Sequence, residues 1–317
     1  MKILLTGATG FLGKVIAVKL AKLDIELIMI GRQNNQNNDN YIYINNLDSD
    51  SQFDLKDRNC DVVIHCAARV HIMNDQSANP LENFRAINTY GTLNLAQQAA
   101  NAGVKRFIFI SSIKVNGEST ELGFPFKPDE DFIPTDPYGL SKYEAEVGLR
   151  NIAKQTGMEV VIIRPPLVYG PGVKANFASM IKWMNRGLPL PLGGIRDNRR
   201  SLVSIYNLVD LIITCIEHPS AANNTFLVSD DDDLSTTQLL DNIATACNVP
   251  NRLLPVPSFF FRLIAKLIGK PAISLRLCGS LQVDISKTKE LLNWLPPYSA
   301  AESMKKTADT FLENNSK

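Results

Sequence analysis

The chain of 317 residues is poor in the groups that bind metals or cross-link a fold. It has only three histidines, and its five cysteines (Cys60, Cys66, Cys215, Cys247, Cys278) include no Cys-x-x-Cys pair. A disulfide framework and a structural zinc site are therefore not expected. Lys and Arg number 33 against 32 Asp and Glu, a net charge of +1, so no basic surface for nucleic acid is indicated. No run of about 18 uncharged apolar residues is present to span a bilayer. The opening MKILLTG passes straight into an apolar strand without the basic and small-residue flanks of a secretory signal, which makes the cytoplasm the expected location. With 45% hydrophobic and 21% charged residues the composition is that of a globular protein, long enough for one large or two smaller domains.

One segment stands apart. In residues 258–270, SFFFRLIAKLIGK, the cations Arg262, Lys266 and Lys270 recur every four residues and would lie along one side of a helix. Such a helix suits contact with a membrane surface. The plainer expectation is that its apolar face packs against the rest of the domain.

Short apolar runs at 2–5, 25–30, 41–44, 62–65, 107–111 and 160–163 alternate with helical patterns that include 11–22, 84–102 and 137–155. Apolar strands alternating with helices predict an α/β fold, a doubly wound parallel sheet of the dinucleotide-binding kind. Residues 1–165 form the expected dinucleotide-binding domain, with its sheet completed by about 201–229. The segments 166–200 and 230–317 form a smaller substrate-binding lobe. The polar stretch 33–40, QNNQNNDN, reads as a solvated loop, and the acidic run 230–233 as a loop before a helix capped by Ser235.

The first strand runs into TGATGFLG, placing Gly7, Gly10 and Gly13 at the mouth of the first helix. Glycines let the backbone turn tightly and approach a ligand, while the helix N-terminus offers free N–H groups to a pyrophosphate. An NAD site usually carries a carboxylate at the end of the second strand for the ribose hydroxyls. Here the sequence reads Gly31-Arg32, and a guanidinium suits the extra phosphate of NADP. NADP(H) is thus preferred, with NAD(H) as the alternative. Ala67 and Ala68, beyond the strand 62–65, are small residues where backbone passes close to the cofactor. His65 and Cys66 read as core residues rather than catalysts.

Asp136 and Pro137 open a helix that puts Tyr138 and Lys142, four apart, on one face. A nearby ammonium would lower the tyrosine pKa and make the phenol a usable acid and base. Ser111 and Ser112 end the strand 107–111 at the sheet edge where ligands bind, and a hydroxyl there can hold a reacting oxygen. Asn88 could orient a water or the lysine, or be an ordinary mid-helix polar residue.

With TGATGFLG, DVVIHCAA, NTYGT, the strand-end Ser-Ser and YGLSK in that order, the chain resembles the extended short-chain dehydrogenase/reductases that act on nucleotide sugars. The resemblance implies Ser112 rather than Ser111 as the catalytic serine, together with Tyr138, Lys142 and Asn88. It also implies Arg200, Asn176 and Arg276 as contacts to a nucleotide diphosphate, and a homodimer paired through the helices that carry Asn88 and Tyr138. Thr9, Phe11, Leu12, Asn46 and Leu47 complete the expected cofactor contacts, and Arg69 the expected substrate contacts. Leu167 stands where many epimerases have asparagine. The longer phrases AARVHIMND, FISSIKVNGE, RPPLVYGPGVKANF and FLVSDDDDLST look like the bacterial 4-ketoreductases that make UDP-N-acetylquinovosamine and related UDP-glucose 4-epimerases. The expected activity is NADPH-dependent reduction at C-4 of a UDP-4-keto-6-deoxy-N-acetylhexosamine for surface polysaccharide. An NAD-dependent UDP-hexose 4-epimerase is the alternative, and a catalytically silent dinucleotide-binding protein the alternative of another class.

Overall fold

The computed structural model describes residues 1–32, 40–70, 79–173, 175–269 and 271–315. Among them, β1 (Lys2–Thr6), β2 (Glu26–Gly31), β3 (Tyr41–Tyr43), β4 (Val62–His65), β5 (Arg106–Ile110), β6 (Glu159–Arg164) and β9 (Thr225–Leu227) form one parallel sheet in the order β3-β2-β1-β4-β5-β6-β9. The order reverses between β1 and β4, and the crevice for a ligand opens there beyond the strands' C-terminal ends. Most of the solvated loop expected at 33–40 lies outside the described residues.

Because successive side chains of a strand point to opposite faces, one strand feeds two cores. Ile3 and Leu5 of β1 pack with Ile64, Ile108 and Ile163 beneath α1 (Phe11–Ala21) and α6 (Ile205–Glu217). Leu4, Val63, Phe107 and Phe109 face the other way, toward α3 (Thr92–Asn101) and α4 (Pro137–Thr156). A third cluster joins Tyr169 and Phe177 to Leu240, Ile243, Met304 and Ala308, on α5 (Ala175–Asn185), α7 (Thr236–Ala246) and α11 (Ala300–Asn315). As expected, Ser235 caps α7, with Gln238 completing a capping box. Within the loop expected at 230–233, Asp230 is buried and accepts hydrogen bonds from the Tyr169 hydroxyl at 2.6 Å and the Asn207 amide at 2.7 Å.

Other expectations are also corrected. Of the stretch 201–229, only β9 joins the main sheet. β8 (Leu202–Ser204) pairs instead with β7 (Leu167–Tyr169), since Pro165 and Pro166 lack the N–H donors that would extend β6. The helix read at 84–102 starts earlier, in α2 (Pro80–Phe84) capped by Asn79, and passes through a π-helical turn, Arg85–Gly91, before α3. Finally, α8 (Ser258–Leu267) does not bury its apolar face: only Ala265 is buried, while Phe259, Leu263 and Leu267 are exposed. It is followed by α9 (Pro271–Cys278) and α10 (Ser286–Leu292).

Candidate active site

The glycine loop is shaped by contacts that exclude side chains. Gly7 has a positive φ of 70°, and a Cβ there would lie 2.9 Å from the Ala67 nitrogen. A Cβ on Gly13 would come within 2.1 Å of the Gly7 carbonyl oxygen, so α1 packs its first turn directly on the loop. Gly10 occupies the N-cap without a side chain to fill it, and its own N–H donates to the Gly7 carbonyl at 2.9 Å. The first turn, with Phe11 and Leu12, thus presents backbone N–H groups and the positive helix end toward the crevice beside Thr9. This cradle fits the pyrophosphate of a dinucleotide.

Around it, Arg32 is exposed just past the end of β2. Leu47 is buried, and its carbonyl sits where a Cβ on Gly91 would fall at 2.5 Å, which fixes the loop of Asn46 and Leu47 against the π-helical turn. Ala67 and Ala68 follow β4, and the Ala67 N–H donates to Thr6 Oγ1 at 3.1 Å. His65 is a core residue as expected. It is wholly buried between Thr6 Oγ1 at 2.8 Å and Thr92 Oγ1 at 2.9 Å, and burial pushes its pKa down to about 3. Burial likewise pushes the Cys66 thiol up to about 12, far from the thiolate a nucleophile needs.

Asp136 caps α4 by accepting from the Gly139 N–H at 3.0 Å, and Pro137 opens the helix. Tyr138 then lies one turn before Lys142. Lys142 is 2% exposed; its ammonium donates to the Ile110 carbonyl at 2.9 Å and lies 4.3 Å from the centre of the Phe109 ring. Burial lowers its pKa to about 8. The expectation that this ammonium depresses Tyr138 is corrected: desolvation pushes the phenol up to about 12, and the opposing pull is a hydrogen bond from Ser112. The two serines differ in their partners. The Ser111 hydroxyl donates to buried Glu146 at 2.6 Å, while Ser112 faces Tyr138.

Asn88 neither touches the lysine nor sits as an ordinary helix residue. Fully buried in the π-helical turn, it accepts from the Arg69 N–H at 2.8 Å and donates to the Arg69 carbonyl at 3.0 Å and to Ser141 Oγ at 3.1 Å. The Arg69 guanidinium lies 5.6 Å from the Phe84 ring centre, and that ring meets Tyr138 edge-on at 5.8 Å. Phe84 was missed by sequence reasoning. Its signal was the spacing of four from Asn88, which puts both on one helical face.

Arg200 and Arg276, 76 positions apart, come together: a guanidinium nitrogen of Arg200 donates to the Arg276 carbonyl at 2.8 Å and the Gly279 carbonyl at 3.3 Å. Burial lowers the Arg200 pKa. Arg276 is an exposed residue of α9, whereas Asn176 lies in the first turn of α5 with its side chain outside the described residues.

Residues 3–229 match the NAD dependent epimerase/dehydratase family. The chain belongs to that family. It is 51% identical over 317 residues to a UDP-glucose 4-epimerase of Vibrio cholerae, covering 99% of this chain and 97% of the relative. A 26% identical relative, across 96% of this chain and 93% of its own, is the N-acetyl-alpha-D-glucosaminyl-diphospho-ditrans,octacis-undecaprenol 4-epimerase of Escherichia coli O157:H7. The solved UDP-glucose 4-epimerase of Thermotoga maritima with UDP-glucose superposes with a TM-score of 0.76 at 23% identity, over 99% of this chain and 100% of that one.

This member of the epimerase/dehydratase family is an NAD(P)-dependent enzyme, an oxidoreductase or epimerase of nucleotide sugars. Its Ser112–Tyr138 pair can give and take one proton at a substrate oxygen. The buried Lys142 keeps two of its three N–H donors beyond the one spent on Ile110.

Proposed function

We propose that this protein is a UDP-hexose or UDP-N-acetylhexosamine 4-epimerase that retains its dinucleotide through the cycle. The observation that carries this choice is the end-to-end relation to the Vibrio cholerae UDP-glucose 4-epimerase. The 4-ketoreductase expected from the sequence rested on phrases that both chemistries share, and it gives way to the epimerase. A catalytically silent binder has no need of Ser112, Tyr138 and Lys142 together.

In this reading Ser112 holds the oxygen on C-4, Tyr138 removes and later returns its proton, and Lys142 holds the cofactor ribose. Gly7, Gly10 and Gly13 would hold the dinucleotide, which when bound would supply reversible hydride exchange at C-4. Arg200 and Arg276 grip the diphosphate far from the chemistry, which positions the sugar by binding energy remote from C-4. Arg69 and Asn176 belong to the same sugar-nucleotide side. Arg32, exposed where an NAD site has a carboxylate, favours NADP(H) over NAD(H). Residues 1–165 with β9 carry the cofactor, and 166–200 and 230–317 close over the sugar nucleotide. Two copies pair through the helices bearing Asn88 and Tyr138, and the enzyme works in the cytoplasm.

Purified protein, given UDP-glucose or UDP-N-acetylglucosamine without added NADPH, is expected to yield the C-4 epimer by chromatography. Absence of epimer, with NADPH oxidised only when a UDP-4-keto-6-deoxy-N-acetylhexosamine is supplied, would restore the reductase. Titration of Arg32→Ala with both dinucleotides tests the cofactor: its NADP affinity should fall and its NAD affinity should not.

A further inference from the structure

Near the C-terminal end of the chain, α8 turns a broad apolar surface outward. It holds to the protein by a narrow edge, through buried Ala265 and half-buried Phe261, with the Cys278 thiol of α9 3.9 Å from the Ser258 carbonyl. At about 100° per residue, Phe259, Phe260, Leu263, Ile264 and Leu267 share the other half of the helix. They are 56%, 43%, 49%, 53% and 77% exposed, and Ile268 just beyond is 56% exposed. Single exposed apolar residues are ordinary on a protein surface, but a contiguous set of six marks a contact site. Arg262 and Lys266, both exposed, border this arc.

Charge selects the occupant. Residues 242–283 contain Arg252, Arg262, Lys266, Lys270 and Arg276 and no Asp or Glu, although the whole chain is balanced to +1. A second copy meeting this face through a two-fold axis would set Arg262 and Lys266 against their own like, with no acid in the segment to pair them. An anionic lipid surface supplies both partners at once, hydrocarbon for the arc and negative headgroups for its border. At ten residues α8 is too short to cross a bilayer, and no described helix is long and apolar enough to do so. We propose that α8 seats this protein on an anionic membrane surface, with Phe260, Leu263, Ile264 and Leu267 entering the interface and Arg262 and Lys266 on the headgroups. The proposal does not rest on the epimerase reading. It bears on it through Arg276, which lies one helix away and accepts the Arg200 hydrogen bond.

The test is flotation of the full chain with vesicles of phosphatidylcholine alone and of an equal mixture with phosphatidylglycerol. Binding to the mixed vesicles only, weakened by salt, is expected. Arg262→Gln/Lys266→Gln should lower that partition on the order of thirty-fold, and Leu263→Glu/Leu267→Glu should abolish it. Both variants should retain wild-type turnover and sedimentation. Wild-type protein that fails to float with anionic vesicles, or variants that float as well as wild type, would overturn the proposal. So would a dimer that Leu263→Glu/Leu267→Glu converts to monomer, since the face would then belong to a second copy.

Discussion

Lys142 keeps an ammonium where the surroundings disfavour one. Its pKa falls from 10.5 to about 8 because burial removes water, and neither the Ile110 carbonyl nor the Phe109 ring replaces it fully. The native state therefore bears a cost that is fully present below pH 8, where both folded and unfolded chains carry the charge. The cost is relieved as pH rises through 8 toward 10.5, since the native lysine loses its proton first. A shift of this size corresponds to about 3 kcal/mol, part of which returns when the Ile110 carbonyl loses its donor. Lys142→Met should thus raise the melting temperature of cofactor-free protein at pH 7 while abolishing turnover. Its advantage should shrink as the melts are repeated toward pH 10. A variant that melts below wild type at pH 7 would show that the ammonium is well solvated. The direction of this side chain was not legible in the sequence. Spacing puts Tyr138 and Lys142 on one face, but that Lys142 turns to the end of β5 depends on where the sheet lies.

At the level of elements, the π-helical turn Arg85–Gly91 carries Asn88 fully buried beside Arg69 and Ser141. Such turns recur at functional sites because the added residue re-aims a side chain. Asn88→Ala leaves the Arg69 N–H and carbonyl without these bonds, a destabilisation of about 2 kcal/mol. Because Arg69 backs the Phe84–Tyr138 contact, kcat should fall about tenfold by the loosening of that wall, with dinucleotide affinity unchanged in a fluorescence titration. A variant with intact kcat would confine Asn88 to the fold. Period counting read 84–102 as one helix, because the apolar stripe that carries the period, Leu95, Ala96 and Ala99, lies in α3 beyond the turn. Gly91 was the trace left in the sequence, needed for the approach of the Leu47 carbonyl. The glycine loop and the start of α4 were legible in full, because their causes are local: a glycine under a close backbone approach, an Asp cap, a proline at the first turn.

For the whole molecule, what local patterns could not show is how distant segments are tied together. The strand-helix alternation disclosed the parallel sheet, yet the pairing of β7 with β8 joins residues 35 positions apart, and no periodicity reports it. Glu146 is the clearest case. On the sequence it is one more acid on α4, but in the fold it is wholly buried. It accepts from the Ser111 hydroxyl at 2.6 Å, from the Arg164 guanidinium at 2.9 and 2.6 Å, and from Arg150 at 3.0 Å. Arg164 reaches on to Asn116 and the Pro128 carbonyl, and Arg150 to Thr225 of β9. One carboxylate thus fastens α4 to β5, β6, the edge strand and the loop behind Ser112. Glu146→Gln keeps the shape but leaves the 4% exposed Arg164 without its counter-charge, at a cost of about 3 to 5 kcal/mol. The melting temperature should fall by several degrees, and turnover with it, as Ser111 loosens beside Ser112. Replacing both partners by apolar residues, Glu146→Leu with Arg164→Met, should recover much of the stability, because no buried charge is then left alone. If Glu146→Gln melts with wild type, the network contributes nothing to holding the sheet edge. If the double variant is the less stable of the two, the hydrogen bonds to Asn116 and Pro128 matter more than the charge pair.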